Sequence, residues 1–276
     1  NYNKDYYSFN AYTEYERTFA EKHYLKGMLG FNQELTKYHN FWGSRKGMLL
    51  QNLPSLSLGT GAQEVGEDGY EWALRGGFFR LNYIYNDRYL LEVNGRYDGT
   101  SRFPSNNRFV FLPSFSAAWR ISEEPFMKAT RSWLDNLKLR ASYGVLGNQL
   151  LTADTWTGNT KYYPYIPFMS SGVAINWLFN DNTQSTVINP AGLVSDALTW
   201  EKASTVNVGV DVTLFNQRFD ASFDYYQRTT SDMLVKVSYP EVLGATAPPA
   251  NDAELRTRGW ELSLGWKDKI GKDINY

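Results

Sequence analysis

Apolar and polar residues alternate one for one along much of this chain, and no other feature restricts its fold as strongly. Residues 89–98 read YLLEVNGRYD, where Leu91 and Val93 are followed by Glu92 and Asn94. Residues 205–214, TVNVGVDVTL, place valine at every second position from 206 to 212. Successive side chains of an extended strand point to opposite faces of its sheet. The alternation therefore predicts strands with one apolar and one polar face.

The same pattern predicts an all-β, antiparallel fold of about nine or ten strands. The predicted strands cover residues 9–16, 25–32, 79–85, 88–99, 107–121, 137–145, 205–214, 219–225 and 260–266, and a further strand begins near Ile274. No segment has the pattern of a three-turn helix. Residues 122–131 are expected to form one short turn of helix between two strands.

The connections between these strands alternate in length along the chain. Tight turns are predicted at Asn86–Asp87, at Asn216–Gln217 and within 267–273, whereas residues 37–72, 149–199 and 231–252 form long loops. In this alternation the break at 100–106 stands in the place of a long loop, and the segment 122–135 stands in the place of a short turn. Long loops at one end and short turns at the other are typical of an up-and-down barrel in an outer membrane. A Greek-key sandwich has no need of this order.

Composition favours lipid on the apolar face. Aromatic residues make up 16% of the chain, yet the mean hydropathy is −0.48. Strands that are apolar on one side only combine these two properties, and aromatic residues near strand ends suit the girdles of a membrane barrel. The polar columns would then line a wet lumen, although a water-facing sheet of a soluble protein remains the alternative. The lumen-facing candidates are Glu92, Arg96, Asp98, Arg102, Lys138, Arg140 and Asp211.

Several sequence blocks resemble the barrel of one known family. They are GRYDGTSRF (95–103), FLPSFSAAWRISEE (111–124), WLDNLKLRASYGVLGNQ (133–149), LTWEKASTVNVGVD (198–211), YYQRTTSDML (225–234) and RGWELSLGW (258–266). In this order they resemble the SusC/RagA family of TonB-dependent transporters from Bacteroidota. The resemblance implies a transmembrane antiparallel barrel of about 22 strands closed by a plug. Residues 1–276 would then be a fragment of this barrel domain, with the plug domain and the TonB box outside the chain.

The resemblance also implies a function. It predicts a transporter of the Gram-negative outer membrane that imports oligosaccharides or peptides and is not an enzyme. Its implied partners are a SusD-like surface lipoprotein, TonB through the N-terminal part missing from this chain, and membrane lipid. Two alternatives stay open, a soluble carbohydrate-binding β-sandwich and a passive outer-membrane porin.

The residues themselves offer no catalytic or cofactor chemistry. With 28 basic and 29 acidic residues, the charge gives no reason to expect nucleic acid as a partner. Cysteine is absent, and two histidines are too few for a three-histidine zinc site. The acidic stretch Glu64, Glu67, Asp68 and Glu71 has the carboxylates that calcium prefers but lacks the spacing of a calcium loop. It therefore indicates either a solvated outer loop or a calcium site.

Two segments are candidates for ligand contact. In YDGTSRF, Asp98–Gly99 predicts a tight turn in which Asp98 holds Arg102, or a loop that touches ligand above the lumen. The loop 155–182 is rich in aromatic rings, which suit sugar or peptide binding, docking of the lipoprotein lid, or packing of the loop on itself. Its candidate residues are Trp156, Tyr162, Tyr163, Tyr165 and Trp177.

Overall fold

The computed structural model describes residues 2–50, 52, 55–150, 162–179, 183–237, 240, 242, 248–270 and 274–275. The strands are β1 (Tyr2–Phe19), β2 (His23–Arg45), β3 (Gln63–Tyr85), β4 (Tyr89–Thr100), β5 (Phe109–Arg120), β6 (Leu134–Asn148), β7 (Ser170–Phe179), β8 (Thr183–Asn189), β9 (Glu201–Leu214), β10 (Phe219–Val235), β11 (Ala250–Trp266), β12 (Lys269–Ile270) and β13 (Ile274–Asn275). Short 3₁₀ turns lie at Leu56–Leu58, Ile121–Glu123 and Pro125–Thr130. Among these described residues, no helix is long and apolar enough to cross a membrane.

Nine of the strands form one antiparallel sheet in the order β1-β2-β3-β4-β5-β6-β9-β10-β11. Apart from the inserted hairpin β7–β8, each strand pairs with its neighbour in the chain, which confirms the predicted up-and-down order. Within the described residues, β1 and β11 are paired on one side only, so the barrel is not closed by this chain. A β-sandwich needs two packed sheets. Because the nine strands make a single sheet, the sandwich alternative is wrong.

The strand register places all predicted columns consistently on two faces, since residues opposite each other in an antiparallel pair share a face. One row across the sheet contains Asn82, Glu92, Ser116, Ser142 and Asn207, and we call this side the polar face. The adjacent row contains Tyr83, Leu91, Ala117, Ala141, Val208, Tyr225 and Trp260 on the other side, the apolar face. Val208 is 53% exposed there. An exposed apolar face of this kind is the one expected to meet lipid.

Buried apolar residues gather at the long-loop end of the sheet rather than across its centre. The cluster consists of Phe103, Val110, Leu112, Leu198 and Trp200. Trp200 donates a hydrogen bond from Nε1 to the carbonyl oxygen of Arg108 (3.0 Å). This cluster joins the loop after β4 to the residues that lead into β9. It holds two of the long connections against the sheet.

The tight turns place asparagine or aspartate at positions with positive φ. Asn86 and Asp87 have φ of 50° and 55°, and Asn216 and Gln217 have φ of 56° and 64°. Asparagine and aspartate tolerate this left-handed region better than most residues, so the two predicted turns are confirmed. The turn between β1 and β2 uses Ala20 and Glu21 at positive φ. Neither is a typical turn residue, and the sequence pattern did not predict a turn there.

The long connections are shorter than predicted. The first spans 46–62 rather than 37–72, because β2 and β3 stay paired as far as Arg45 and Gln63. β2 and β3 have 23 residues each, whereas about 9–11 residues are enough for a strand to cross a bilayer. Beyond the bilayer both faces of this hairpin meet water, so its residues lose the alternation. The connection predicted at 231–252 likewise spans 236–249, and that at 149–199 contains the β7–β8 hairpin.

The segment between β5 and β6 forms the expected short helical turns and buries Glu124. Its carboxylate accepts hydrogen bonds from Tyr89 Oη (2.7 Å), Trp119 Nε1 (3.0 Å) and Arg88 Nη1 (3.3 Å). The bonds from Tyr89 and Trp119 favour the ionised form and lower the pKa of Glu124 below its ordinary value of 4.5. Tyr89 and Trp119 also stack on each other on the apolar face. Glu124 therefore ties two girdle aromatics to the turn.

This arrangement predicts a pH dependence. Because the folded pKa is depressed, the ionised carboxylate stabilises the fold above about pH 4.5, and this stability disappears as the pH falls through the folded pKa. We expect Glu124→Gln to lower the urea midpoint of barrel refolding at pH 7 and to lose less stability than the native chain on acidification. Glu123→Gln, which removes a neighbouring exposed carboxylate, is the control. Equal pH slopes for native chain and Glu124→Gln would contradict the assignment.

Candidate functional site

Six of the seven predicted lumen residues lie on the polar face of the sheet. Glu92, Arg96 and Asp98 belong to β4, Lys138 and Arg140 to β6, and Asp211 to β9, and their register partners place them on one side. Arg102 lies beyond the end of β4 and differs from the other six. The polar face therefore carries charges of both signs, most of them held in pairs.

A four-residue ion network crosses three strands of this face. Arg140 donates from Nε and Nη2 to both carboxylate oxygens of Asp211 (2.8 Å each) and from Nη1 and Nη2 to Asp224 (3.1 and 3.0 Å). Lys138 Nζ lies 3.7 Å from Asp211. Two cations thus balance two carboxylates. Asp224 completes the network. The alternation predicts its side of β10, but its pairing with Arg140 depends on the register of β9, which lies between the two strands.

Gly209 makes this network sterically possible. It stands between Arg140 and Asp224 in the same row of the sheet. A Cβ at this position would lie 2.4 Å from Asp224 Oδ1 and 3.0 Å from Arg140 Nη2. Any larger residue would force the guanidinium away from its two partners. Glycine in the middle of a strand is otherwise unfavourable, so the close approach explains it.

The structure corrects the interpretation of YDGTSRF. Asp98 accepts two hydrogen bonds from Arg96, at Nε and Nη2 (3.0 Å each), and none from Arg102. Asp98 and Gly99 do not form a turn, because they remain in β4 and are paired with β3 and β5, and the ring of Phe109 covers Gly99. A Cβ on Gly99 would lie 2.2 Å from that ring. The glycine accommodates an aromatic neighbour across the strand, a known use of glycine in sheets.

Arg102 is buried and does not line an open lumen. Only 6% of the residue is exposed. Its guanidinium lies 4.8 Å from the ring centre of Trp72 and 5.6 Å from that of Tyr162. Nε and Nη1 are buried and have no hydrogen-bond partner among the described residues. Burial lowers the pKa of Arg102, and the two rings provide the main attraction for its charge.

Three of the candidate loop aromatics pack against the sheet. Tyr162 stacks on Tyr70 with ring centres 3.9 Å apart, and burial raises the pKa of Tyr162 to about 12. Tyr163 Oη donates to the carbonyl oxygen of Glu71 (2.6 Å) and accepts from its amide (2.8 Å). Tyr165 Oη donates to the carbonyl oxygen of Ser101 (3.2 Å). These contacts favour the interpretation that the loop packs on its own chain.

The two tryptophans of the same loop stay as predictions. Trp156 lies outside the described residues. The backbone of Trp177 belongs to β7, and its side chain is outside the described part of the chain.

The acidic stretch lies in a strand rather than a loop. Glu64 and Asp68 point to one side of β3, and Glu67 and Glu71 point to the other. Three of them have cationic or histidine partners on or next to β2, namely Lys46, His39 and Lys37. Within the described residues, no group of three or more histidine or acidic side chains converges on a possible metal position. The strand geometry therefore does not favour calcium at these four residues.

Known proteins of similar sequence support the transporter interpretation. The family model of the TonB dependent receptor-like β-barrel matches residues 1–276. TonB-dependent receptor P26 of Formosa agariphila is 37% identical over 204 residues, which cover 72% of this chain and 19% of that protein. TonB-dependent receptor SusC of Bacteroides thetaiotaomicron is 33% identical over 201 residues, which cover 72% of this chain and 19% of that protein.

Solved structures agree with these sequence matches. The RagAB peptide importer in its closed-closed state superposes with a TM-score of 0.80 at 28% identity, covering 99% of this chain and 29% of that one. The siderophore receptor PirA from Acinetobacter baumannii, with 12% identity and a TM-score of 0.54 over 96% of this chain and 35% of that one, shares the fold. The chain spans between 19% and 25% of the length of the curated relatives it matches. It belongs to the SusC/RagA family of TonB-dependent outer-membrane transporters, and its residues form part of that family's β-barrel.

Proposed function

We propose that the protein containing this chain imports oligosaccharides or peptides across the outer membrane, powered through TonB and assisted by a SusD-like surface lipoprotein. The observation that carries the proposal is the sheet itself, which has a charged, largely polar face on one side and an exposed apolar face on the other. A wall of this kind separates a wet passage from lipid. Its likeness to the RagAB peptide importer over 99% of the chain supports cargo import, and the likeness to SusC supports the same class of transporter.

The proposed transport requires no covalent step and no cofactor bound to this chain. Three aspartates of the polar face are committed to ion pairs, Asp98 with Arg96, and Asp211 and Asp224 with Arg140. Such pairing stiffens a wall and leaves little capacity to accept a proton from a substrate. We therefore propose that the protein is a transporter and not an enzyme.

The test uses the full-length protein in a host that lacks its own copy. Cells are given a fluorescent tryptic digest of serum albumin or a fluorescent mixture of oligosaccharides, with TonB present or deleted. We expect uptake of one of the two cargo classes, abolished without TonB, and recovery of a surface lipoprotein when the transporter is purified. A passive porin would keep its uptake without TonB, which would reject the energy-coupled proposal.

The proposal also predicts the orientation of the sheet, with the long connections outside the cell and the short turns in the periplasm. Gly192 lies in a long connection, is exposed and would have open space around a side chain. Asn216 lies in the tight turn between β9 and β10. An epitope tag inserted at 192 should be labelled by antibody on intact cells, whereas a tag at 216 should be labelled only after permeabilisation. The opposite result would invert the topology.

A further inference from the structure

Arg102 combines deep burial with unused hydrogen-bond donors. It is 6% exposed, and neither Nε nor Nη1 has a hydrogen-bond partner in the part of the chain that the structure describes. Placing a cation in a protein interior without a counter-charge is strongly unfavourable, so such groups are nearly always paired. Among the described residues Arg102 forms no ion pair, because Asp98, the carboxylate nearest in sequence, is bonded to Arg96. No carboxylate of the described residues therefore balances this cation.

The surroundings of Arg102 suit a planar anion. Trp72 and Tyr162 lie against the guanidinium and attract it through their ring faces. Rings that stack on the face of a guanidinium do not bond to its edge, and this edge carries the donors that bind carboxylate in a bidentate manner. The side chain of Thr100 accepts a hydrogen bond from the backbone amide of Arg102, not from its guanidinium.

The position of Arg102 connects it with the passage. Trp72 stands opposite Thr36 in β2, in a row that belongs to the polar face. Arg102 therefore lies on the passage side of the sheet, at the long-loop end. Beside it runs a stack of tyrosines in which Tyr38 and Tyr70 have ring centres 4.8 Å apart, and Tyr70 and Tyr162 have ring centres 3.9 Å apart. Flat apolar rings next to a cation form a surface for a ligand that is itself part apolar and part anionic.

We propose that Arg102 binds a carboxylate of the cargo, with the rings of Tyr38 and Tyr70 packing against the unit that carries it. The inference rests on the proposed function and makes it more specific, since it selects acidic cargo over neutral cargo. The carboxylate belongs to a peptide or to a uronate-containing oligosaccharide. Trp72 is fixed in β3, whereas Tyr162 belongs to a loop, so Tyr162 is the ring that moves aside when cargo reaches Nε and Nη1.

The test compares matched ligands on the full-length transporter purified with its lipoprotein. One ligand pair is a tryptic digest of serum albumin with free or methyl-esterified carboxyl groups. The second pair is a mixture of alginate oligosaccharides and its methyl esters. We expect the native protein to bind the free form of one pair at least about tenfold more tightly than the ester, the factor typical of a hydrogen bond to a charged group. The responsive pair identifies the source of the carboxylate.

Variants then assign the preference to Arg102. Arg102→Met, close in length and uncharged, should lose the preference for free carboxylate, and Arg102→Lys should keep part of it because a lysine offers a charge without the planar fork. Arg228→Met removes an exposed cation of the same face and should leave the preference unchanged. If Arg102→Met does not fold, the reduced preference of Arg102→Lys is the deciding measurement.

Two results would overturn the inference. Equal binding of free and esterified ligands by the native protein, or a full preference retained in both Arg102 variants, would show that Arg102 does not meet the cargo. In those cases the proposed import function still stands. A native protein that binds no member of either ligand pair would overturn the proposed cargo classes together with the inference.

Discussion

Arginine at Val208 is expected to lower the free energy of unfolding of the barrel by about 2–4 kcal/mol, whereas arginine at Asn207 should lower it far less. Val208 lies near the middle of β9 on the apolar face and is 53% exposed, so its substitute would enter hydrocarbon. Asn207 lies one residue away on the polar face, in the row of Ser142 and Tyr226. There an arginine remains in contact with water.

The measurement is a urea titration of the full-length barrel refolding into lipid vesicles, followed by tryptophan fluorescence. The two variants carry the same added charge on the same strand, so each is the control for the other. Unequal losses in the expected order would confirm which face of β9 meets lipid. Comparable losses at both positions would contradict the assigned faces.

Replacing Arg140 by methionine should destabilise the barrel by about 2–3 kcal/mol. The change strands the carboxylates of Asp211 and Asp224, each of which loses two hydrogen bonds. Breaking a fully buried ion pair costs about 3–5 kcal/mol. The smaller value applies here because 31% of the Arg140 side chain is exposed and Lys138 stays near Asp211.

A second substitution tests whether the loss comes from stranded charge. Asp224→Asn in the Arg140→Met background removes the carboxylate that has lost its partner, while Lys138 continues to balance Asp211. We expect the double variant to recover part of the stability, which a double-mutant cycle in the same refolding titration would quantify. The network would be rejected as a stabilising element of the wall by either of two results. One is an Arg140→Met variant of unchanged stability, and the other is a double variant whose loss of stability exceeds the sum of the two single losses.

Local sequence was enough to predict most of the strands. In a membrane barrel every spanning strand has lipid on one side and water on the other, so each side chain's polarity follows directly from its position. The valines from Val206 to Val212 and the columns through Glu92 and Arg140 are therefore placed correctly without knowledge of any neighbour. The turn at Asn86–Asp87 is also local, because the two residues themselves tolerate positive φ.

The prediction was wrong where water reaches both sides or where distant residues meet. The outer halves of β2 and β3 have no lipid contact, so their pairing, which reaches Arg45 and Gln63, leaves no alternation in the sequence. Proximity along the chain suggests that Asp98 holds Arg102. Residues two positions apart in a strand share a face, however, so Asp98 bonds to Arg96 instead.

The candidate site depends most on tertiary structure. Arg140 and Asp211 are 71 residues apart in sequence, and only the pairing of β6 with β9 brings them within 2.8 Å. The burial of Arg102 likewise requires Trp72 from β3 and Tyr162 from a loop much later in the chain. Periodicity records which side of a strand each residue occupies. Which residues meet across the sheet is decided by register and loop packing, because these depend on the folding of the whole wall.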